Sequence, residues 1–246
     1  MTKAKISTSF GALLAASVIF SPNFANATDL LDGLNDPAPQ GTAVNWSGVY
    51  VGGRLGYGIT TGDVDIQKGL PPSGPYTTVQ SFNGLSGDSV TGGFQLGYDQ
   101  QIGRFVLGVV GSYDFSDAEF EFSTPIPAKT AGASKGEEWS IGGRAGVLLS
   151  PRTMVYGLLA YTEADFDHDV TEVFTKLPSG TETVSGYTFG GGIEHAVSDN
   201  VFIGIEGTYT DFETFNIADD ASCERIVVDP DELRVLGTLK IKINSF

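Results

Sequence analysis

The chain has 246 residues with 14 Lys and Arg against 30 Asp and Glu, and its formal net charge of −16 excludes the basic face that a nucleic-acid partner requires. A single cysteine, Cys223, excludes an intrachain disulfide as a source of stability. Gly, Asp or Arg interrupts every apolar run before it reaches the roughly 18 residues that cross a bilayer as a helix.

Lys3 and Lys5 precede an apolar run over residues 10–20, and Ala25 and Ala27 put small residues at the two positions a signal peptidase reads. Residues 1–27 are therefore expected to be a secretory signal peptide, cleaved near Ala27. Residues 28–45 carry Pro37, Pro39 and Gly41 with no sustained periodicity, and are expected to form an extended periplasmic leader. Residues 46–246 are left as one domain. If that domain enters a membrane it must do so as strands, and strands in hydrocarbon have to close into a barrel to pair every N–H and C=O.

The first run opens at Trp46. From Val49 its residues alternate, with Val49, Val51, Gly53, Leu55, Tyr57 and Ile59 on one face and Tyr50, Gly52, Arg54, Gly56 and Gly58 on the other. Residues 61–87 contain Pro71, Pro72 and Pro75 and read as a long loop rather than a strand. The second run, 90–99, sets Phe94, Leu96 and Tyr98 against Gln95 and Asp99, and a tight connection at 100–103 leads to the third, 105–115, with Leu107, Val109 and Tyr113 against Ser112 and Asp114. A second long loop at 116–135 holds Pro125 and Pro127, and the fourth run, 138–149, sets Trp139, Ile141 and Val147 against Glu138 and Arg144. After a short turn at 150–153 the fifth run, 154–165, is apolar on both faces at its start, which leaves its register open. A third loop at 167–182 precedes the sixth run, 187–196, with Phe189 and Ile193 against Thr188 and Glu194. The turn at 198–200 leads to the seventh, 201–210, with Ile203 and Ile205 against Phe202 and Glu206. A fourth loop at 211–231 is followed by the last run, with Leu233, Val235, Leu239 and Ile241 against Arg234, Lys240 and Lys242.

Short turns alternating with long loops predict an all-β fold: an eight-stranded antiparallel transmembrane β-barrel with four long extracellular loops and short periplasmic turns. A soluble lipocalin-like carrier also alternates, with its apolar face turned inward. The polar face decides between them, because Arg54, Asp99, Asp114, Glu138, Arg144, Glu163, Glu194, Glu206, Arg234, Lys240 and Lys242 share it with many glycines. Inside a narrow lumen these charges can pair, and Arg54 is expected to face Glu138, Glu194 or Glu206. Trp46, Tyr57, Tyr98 and Trp139 are expected in the aromatic girdles at the two membrane surfaces.

The opening N-W-S-G-V-Y-V-G-G-R-L-G-Y-G, the stretch G-G-F-Q-L-G-Y-D-Q-Q-I-G-R-F-V-L-G-V at 92–109, G-R-A-G-V-L-L-S-P at 143–151 and the hairpin G-G-G-I-E-H-A-V-S-D-N-V-F-I-G-I-E carry a family resemblance. Together they resemble the small porin-family outer-membrane proteins of alphaproteobacteria, relatives of the opacity proteins and of the OmpA-type barrel. The resemblance covers nearly all of the chain from Trp46 onward. It implies an abundant eight-stranded envelope component with a role in envelope integrity, surface interaction or, in some members, haem or small-solute binding. It also implies insertion by the barrel-assembly machinery through a C-terminal strand ending at Phe246. Counting back by twos from Phe246 gives Asn244, Lys242 and Lys240 rather than apolar residues, so either a bulge near Asn244 or Ser245 resets the register or the signal is degenerate.

A hydrolase would draw on Asp165, Asp167, His168 and Asp169, or on His195 with Ser198. Both groups read better as solvated or interfacial polar residues, no His or Cys spacing suits a metal, and Cys223 lacks a partner. No enzymatic activity and no cofactor are expected. The expected function is a structural outer-membrane barrel contributing to envelope integrity and surface interaction, its lumen occluded by charge pairs and its partners lipid and lipopolysaccharide. A haem- or small-solute-binding porin-like protein and a lipocalin-like carrier are the alternatives, and an envelope hydrolase is third. The acids Asp211, Glu213, Asp219, Asp220, Glu224, Asp229, Asp231 and Glu232 of the fourth loop either meet lipopolysaccharide phosphates through divalent cations or serve solubility.

Overall fold

Alternating side chains give a strand two unlike faces, and a sheet with one apolar face can close on itself with that face on either side. A computed structural model of the chain describes residues 44–69, 75–116, 119–125, 128–172, 180–219 and 224–243. Its strands are β1 (Gly48–Lys68), β2 (Thr77–Ile102), β3 (Phe105–Ser116), β4 (Glu119–Pro125), β5 (Ala128–Ser150), β6 (Thr153–Glu172), β7 (Gly180–Ala196), β8 (Val201–Phe212), β9 (Phe215–Asp219) and β10 (Glu224–Ile243). Eight of them pair in the order β1-β2-β3-β5-β6-β7-β8-β10, and β1 pairs with β10 from Val49↔Ile243 to Lys68↔Glu224. The ring is therefore closed and antiparallel throughout, with no free edge. β4 and β9 lie off the ring, paired with β5 and β10.

The apolar face points outward. Leu55, Phe94, Val109, Ile141 and Ile205 are each 60% exposed or more, whereas the charged residues of the opposite face are buried. A soluble carrier needs the reverse arrangement, so the lipocalin-like alternative falls: this wall is stable only where hydrocarbon covers it. β6, whose register the sequence left open, turns Met154, Tyr156, Ala160, Thr162 and Ala164 inward. Three tight connections share one end with the start of β1 and the end of β10. Gly103, at φ 60, makes the β2–β3 turn in a conformation that suits glycine; Pro151 and Arg152 make the β5–β6 turn, and residues 197–200 join β7 to β8.

At the other end the structure corrects the expectation of long loops. β1 continues to Lys68 and β2 already begins at Thr77, with a register shift between Gly62 and Val64; Pro75 lies just before β2. Residues 128–135, 167–172, 180–182 and 224–231, also assigned to loops, are strand as well. The physical reason is that a hairpin standing in water keeps its ladder hydrogen bonds while needing no apolar face. Polar residues on both faces mark the limit of the membrane rather than the end of the sheet. The expected signal peptide, most of the leader, Cys223 and Phe246 lie outside the described residues.

Candidate functional site in the barrel interior

The interior is filled in layers. At the turn end, Val44, Trp46, Val106, Leu148, Met154, Tyr156, Ala196 and Phe202 form an apolar cluster. Next, Arg144 donates from Nε to Asp99 at 2.9 Å, pairs a second time with Asp99 through Nη2, and donates from Nη1 to Glu194 at 3.1 Å. Lys240 donates to the same Glu194 oxygen at 2.5 Å. Both cations also lie over the rings of Tyr50 and Tyr156, at 4.8–5.3 Å from the ring centroids. Tyr156 donates its hydroxyl to Glu206 at 2.6 Å.

Farther from the turns, Arg54 lies 3.1 Å from Asp114 and 3.6 Å from Glu206. Arg234 donates to Glu138 at 2.6 Å and lies 3.4 Å from Glu232 and 3.8 Å from Asp114. Lys135 joins Glu138 to Glu232 with contacts of 2.6 and 2.5 Å. Thr162, Thr188 and Thr210 run as a hydroxyl ladder across β6, β7 and β8 at 2.6 and 2.8 Å. Above them Ala164, Phe166, Val184 and Phe212 form a second apolar cluster, with Phe215 packed against it and the Lys135 ammonium 5.4 Å from the Phe212 ring centroid. Close approach explains the interior glycines: a Cβ on Gly93 would stand 2.2 Å from Asp114 Oδ1, and one on Gly97 would stand 2.3 Å from the Tyr50 hydroxyl.

Among the described residues, the buried cations are Arg54, Lys135, Arg144, Arg234, Lys240 and Lys242, and the buried carboxylates are Asp99, Asp114, Glu138, Glu194, Glu206 and Glu232. Six face six, so the interior is balanced and the chain's acidic excess lies elsewhere. On the outer face beyond the apolar band, tyrosines donate to carboxylates: Tyr57 to Asp88 at 2.6 Å, Tyr161 to Glu163 at 2.7 Å, and Tyr113 to Glu137.

A closed eight-stranded ring with this inside-out polarity coincides with the span of a known family. The model of the outer membrane protein beta-barrel domain matches residues 12–235. The chain belongs to that family. It is an outer-membrane β-barrel protein, and its location is the outer membrane. The 31 kDa outer-membrane immunogenic protein of Brucella melitensis is 28% identical over 84% of this chain and 89% of its own length. The 22 kDa outer membrane protein of Rhizobium leguminosarum bv. viciae is 25% identical over 72% of this chain and 69% of its own. Among solved structures, the outer membrane protein OprG of Pseudomonas aeruginosa aligns with 80% of this chain and 97% of its own at 11% identity and a TM-score of 0.47.

Ten of the eleven charges assigned to the polar face are buried in this outer-membrane barrel, and Glu163 is the exception. Glu163 pairs across the sheet with Trp139, which is exposed, and its carboxylate accepts from Tyr161 on the outer face. The error follows from β6, whose apolar residues on both faces hid its parity. Arg54 meets Asp114 and Glu206, while Glu138 belongs to Arg234 and Lys135, and Glu194 to Arg144 and Lys240.

Trp46 is also corrected. It is fully buried against Phe202 inside the base rather than facing lipid, whereas Tyr57, Tyr98 and Trp139 are exposed on the outer face. Lys135 was missed, and Glu232, grouped with the fourth-loop acids expected at the lipopolysaccharide layer or in solvent, is instead buried in the lumen against Lys135. Lys135 escaped because a register shift between Lys135 and Glu138 reverses the parity of β5; Glu232 lies one alternation step past the start assigned to the last run. Of the acid-base groups weighed for hydrolysis, Asp165 and Asp167 accept from Thr183 and Thr181, and His195 contacts Thr153 at 3.0 Å near the opposite end of the wall. The side chains of His168 and Asp169 lie outside the described residues.

Proposed function

We propose that this chain is a structural barrel of the outer membrane, with an occluded lumen and an outer rim that engages the lipopolysaccharide layer. The carrying observation is the balance of six buried cations and six buried carboxylates, with every cation but Lys242 in contact with a carboxylate between two apolar clusters. A water-filled pore leaves its wall charges hydrated, whereas here they bond one another and leave no net field to select an ion. Tyr57 and Trp139 serve as the girdle on the extracellular side and Tyr98 as its counterpart near the turns, the level at which amphipathic rings meet headgroups. The carboxylates of Asp88, Glu137 and Glu163 stand beside the outer tyrosines. Lipopolysaccharide phosphates repel such acids, and a divalent cation with oxygen ligands bridges the two.

The Brucella relative is named immunogenic, and the polar hairpins beyond the wall are the surface through which this chain would share that property. A catalytic role finds no support, because the acids near Asp165 and the imidazole of His195 lie at opposite ends of the outer face. Insertion through the barrel-assembly machinery remains part of this reading. Two measurements test it together. Proteoliposomes carrying the refolded protein should swell no faster than protein-free ones in isosmotic sugars, and a deletion strain should take up a hydrophobic dye faster than the parent. Rapid size-limited swelling, or a deletion strain with an unchanged envelope, would count against the reading.

A further inference from the structure

Trp46 belongs to no strand, yet it is held from four directions. Its indole N–H donates to the Pro151 carbonyl in the β5–β6 turn at 3.2 Å, and its backbone N–H donates to Gln101 Oε1 beside the β2–β3 turn at 3.1 Å. Its ring meets Phe202 of β8 with centroids 4.9 Å apart. Lys242 of β10 lies over both rings, at 6.0 Å from Trp46 and 5.0 Å from Phe202, and donates to the Asn45 carbonyl at 3.0 Å. Val44 is buried with it, and Ser47 Oγ accepts from the Gln101 backbone N–H at 2.9 Å.

These contacts define a socket. The inward residues at this end, Val106, Leu148, Met154, Ala196 and Phe202, are apolar where the next layers are ionic, so the wall is built there to receive a ring. A tryptophan at the lipid surface would face outward and make none of these bonds. The partners are also far apart in the chain, Gln101 lying 55 residues from Trp46 and Pro151 lying 105 residues from it. They meet only once β1 has paired with β10 and the ring is closed.

We propose that residues 44–47 are a strap that stoppers the periplasmic end of the barrel after closure, and that the socket is a binding site for a neutral aromatic group bearing an N–H donor, filled in cis by Trp46. Docking ties two turns and two strands together, so the strap locks the closed ring. Withdrawing it would leave an apolar hollow open to periplasmic water and deprive the Pro151 carbonyl of its indole donor. Among the buried cations the strap touches Lys242, while the carboxylate pairs of Arg144, Lys240, Arg54, Arg234 and Lys135 make none of these contacts, so the stopper is separate from the ion pairing that occludes the lumen.

The test is chemical rescue of Trp46→Gly in vesicles, with indole as probe and 1-methylindole, which lacks the N–H, as control. The variant should melt below wild type, and its strap should be cut several-fold faster by a protease on the turn side. Millimolar indole should raise its midpoint and slow the cutting, 1-methylindole should do so less, and wild type should respond to neither. Conductance should stay absent in the variant; a channel appearing there would count against the closed lumen and leave the socket standing. If Trp46→Gly fails to fold, Trp46→Phe keeps a ring without the donor and should lie between wild type and the cavity variant's expected behaviour. Wild-type stability and protection in either variant would overturn the strap. Equal rescue by the two indoles would overturn the donor specificity of the socket.

Discussion

Glu194→Gln probes the paired interior most sharply. One oxygen of Glu194 accepts from Lys240 at 2.5 Å and Arg144 at 3.1 Å, and the side chain is 3% exposed. At about 3 Å and an effective dielectric constant of about 20, a unit pair is worth roughly 5 kcal/mol. The amide oxygen of Gln recovers part of this, and breaking a buried pair costs about 3–5 kcal/mol because the remaining charge stays buried. With a urea slope of roughly 2 kcal/mol per M, the unfolding midpoint should fall by about 2 M. Adding Lys240→Met restores the balance, and exchanging a buried pair for apolar groups is often neutral, so most of the loss should return. Glu163→Gln, on the outer face, should cost under about 0.5 kcal/mol. Urea titrations in vesicles, followed by tryptophan fluorescence, measure all three. A Glu194→Gln shift no larger than that of Glu163→Gln, or no recovery on adding Lys240→Met, would refute the argument.

Other consequences follow from named contacts. Trp139→Phe leaves Trp46 as the only tryptophan, and its emission should resist quenching by brominated lipid; Trp46→Phe leaves the outward Trp139, which should be quenched strongly. Gly93→Ala should impair folding, since its Cβ would meet Asp114 Oδ1 at 2.2 Å and the Tyr113 carbonyl at 2.4 Å, whereas Gly53→Ala, with its nearest neighbour at 4.0 Å, should fold normally in a heat-modifiability assay. Beyond the membrane, burial and then the charges of Asp211, Asp63 and Asp229 push the Asp231 carboxyl above its ordinary range. A raised folded-state value means more bound protons than in the unfolded chain, so the outer end of β10 is most stable below about pH 3.9 and loses that stability as pH rises through the folded value. Amide exchange there, corrected for its intrinsic rate, should speed up with pH in wild type and change less in Asp231→Asn.

The barrel was legible because β1, β3, β8 and β10 alternate without error, and a period of two needs only the residues themselves. Glycines opposite large side chains, as at Gly93, already implied a tight interior. Three kinds of information were missing. A bulge reverses parity without a sequence mark, which hid Lys135. A strand that is apolar on both faces carries no sign for its register, which misplaced Glu163. An indole suits a lipid headgroup and a closed socket equally, so the chemistry of Trp46 did not reveal its direction; only Pro151 and Phe202, brought close by ring closure, determine it. The pairing of particular cations with particular acids likewise depends on how the closed wall staggers its strands.

Single-molecule conductance across a planar bilayer tests the central claim, that the balanced ion layers fill the lumen. The purified, refolded wild-type protein should give no stable open channel at moderate voltage. Long-lived, reproducible conductance steps from the monomer would contradict it.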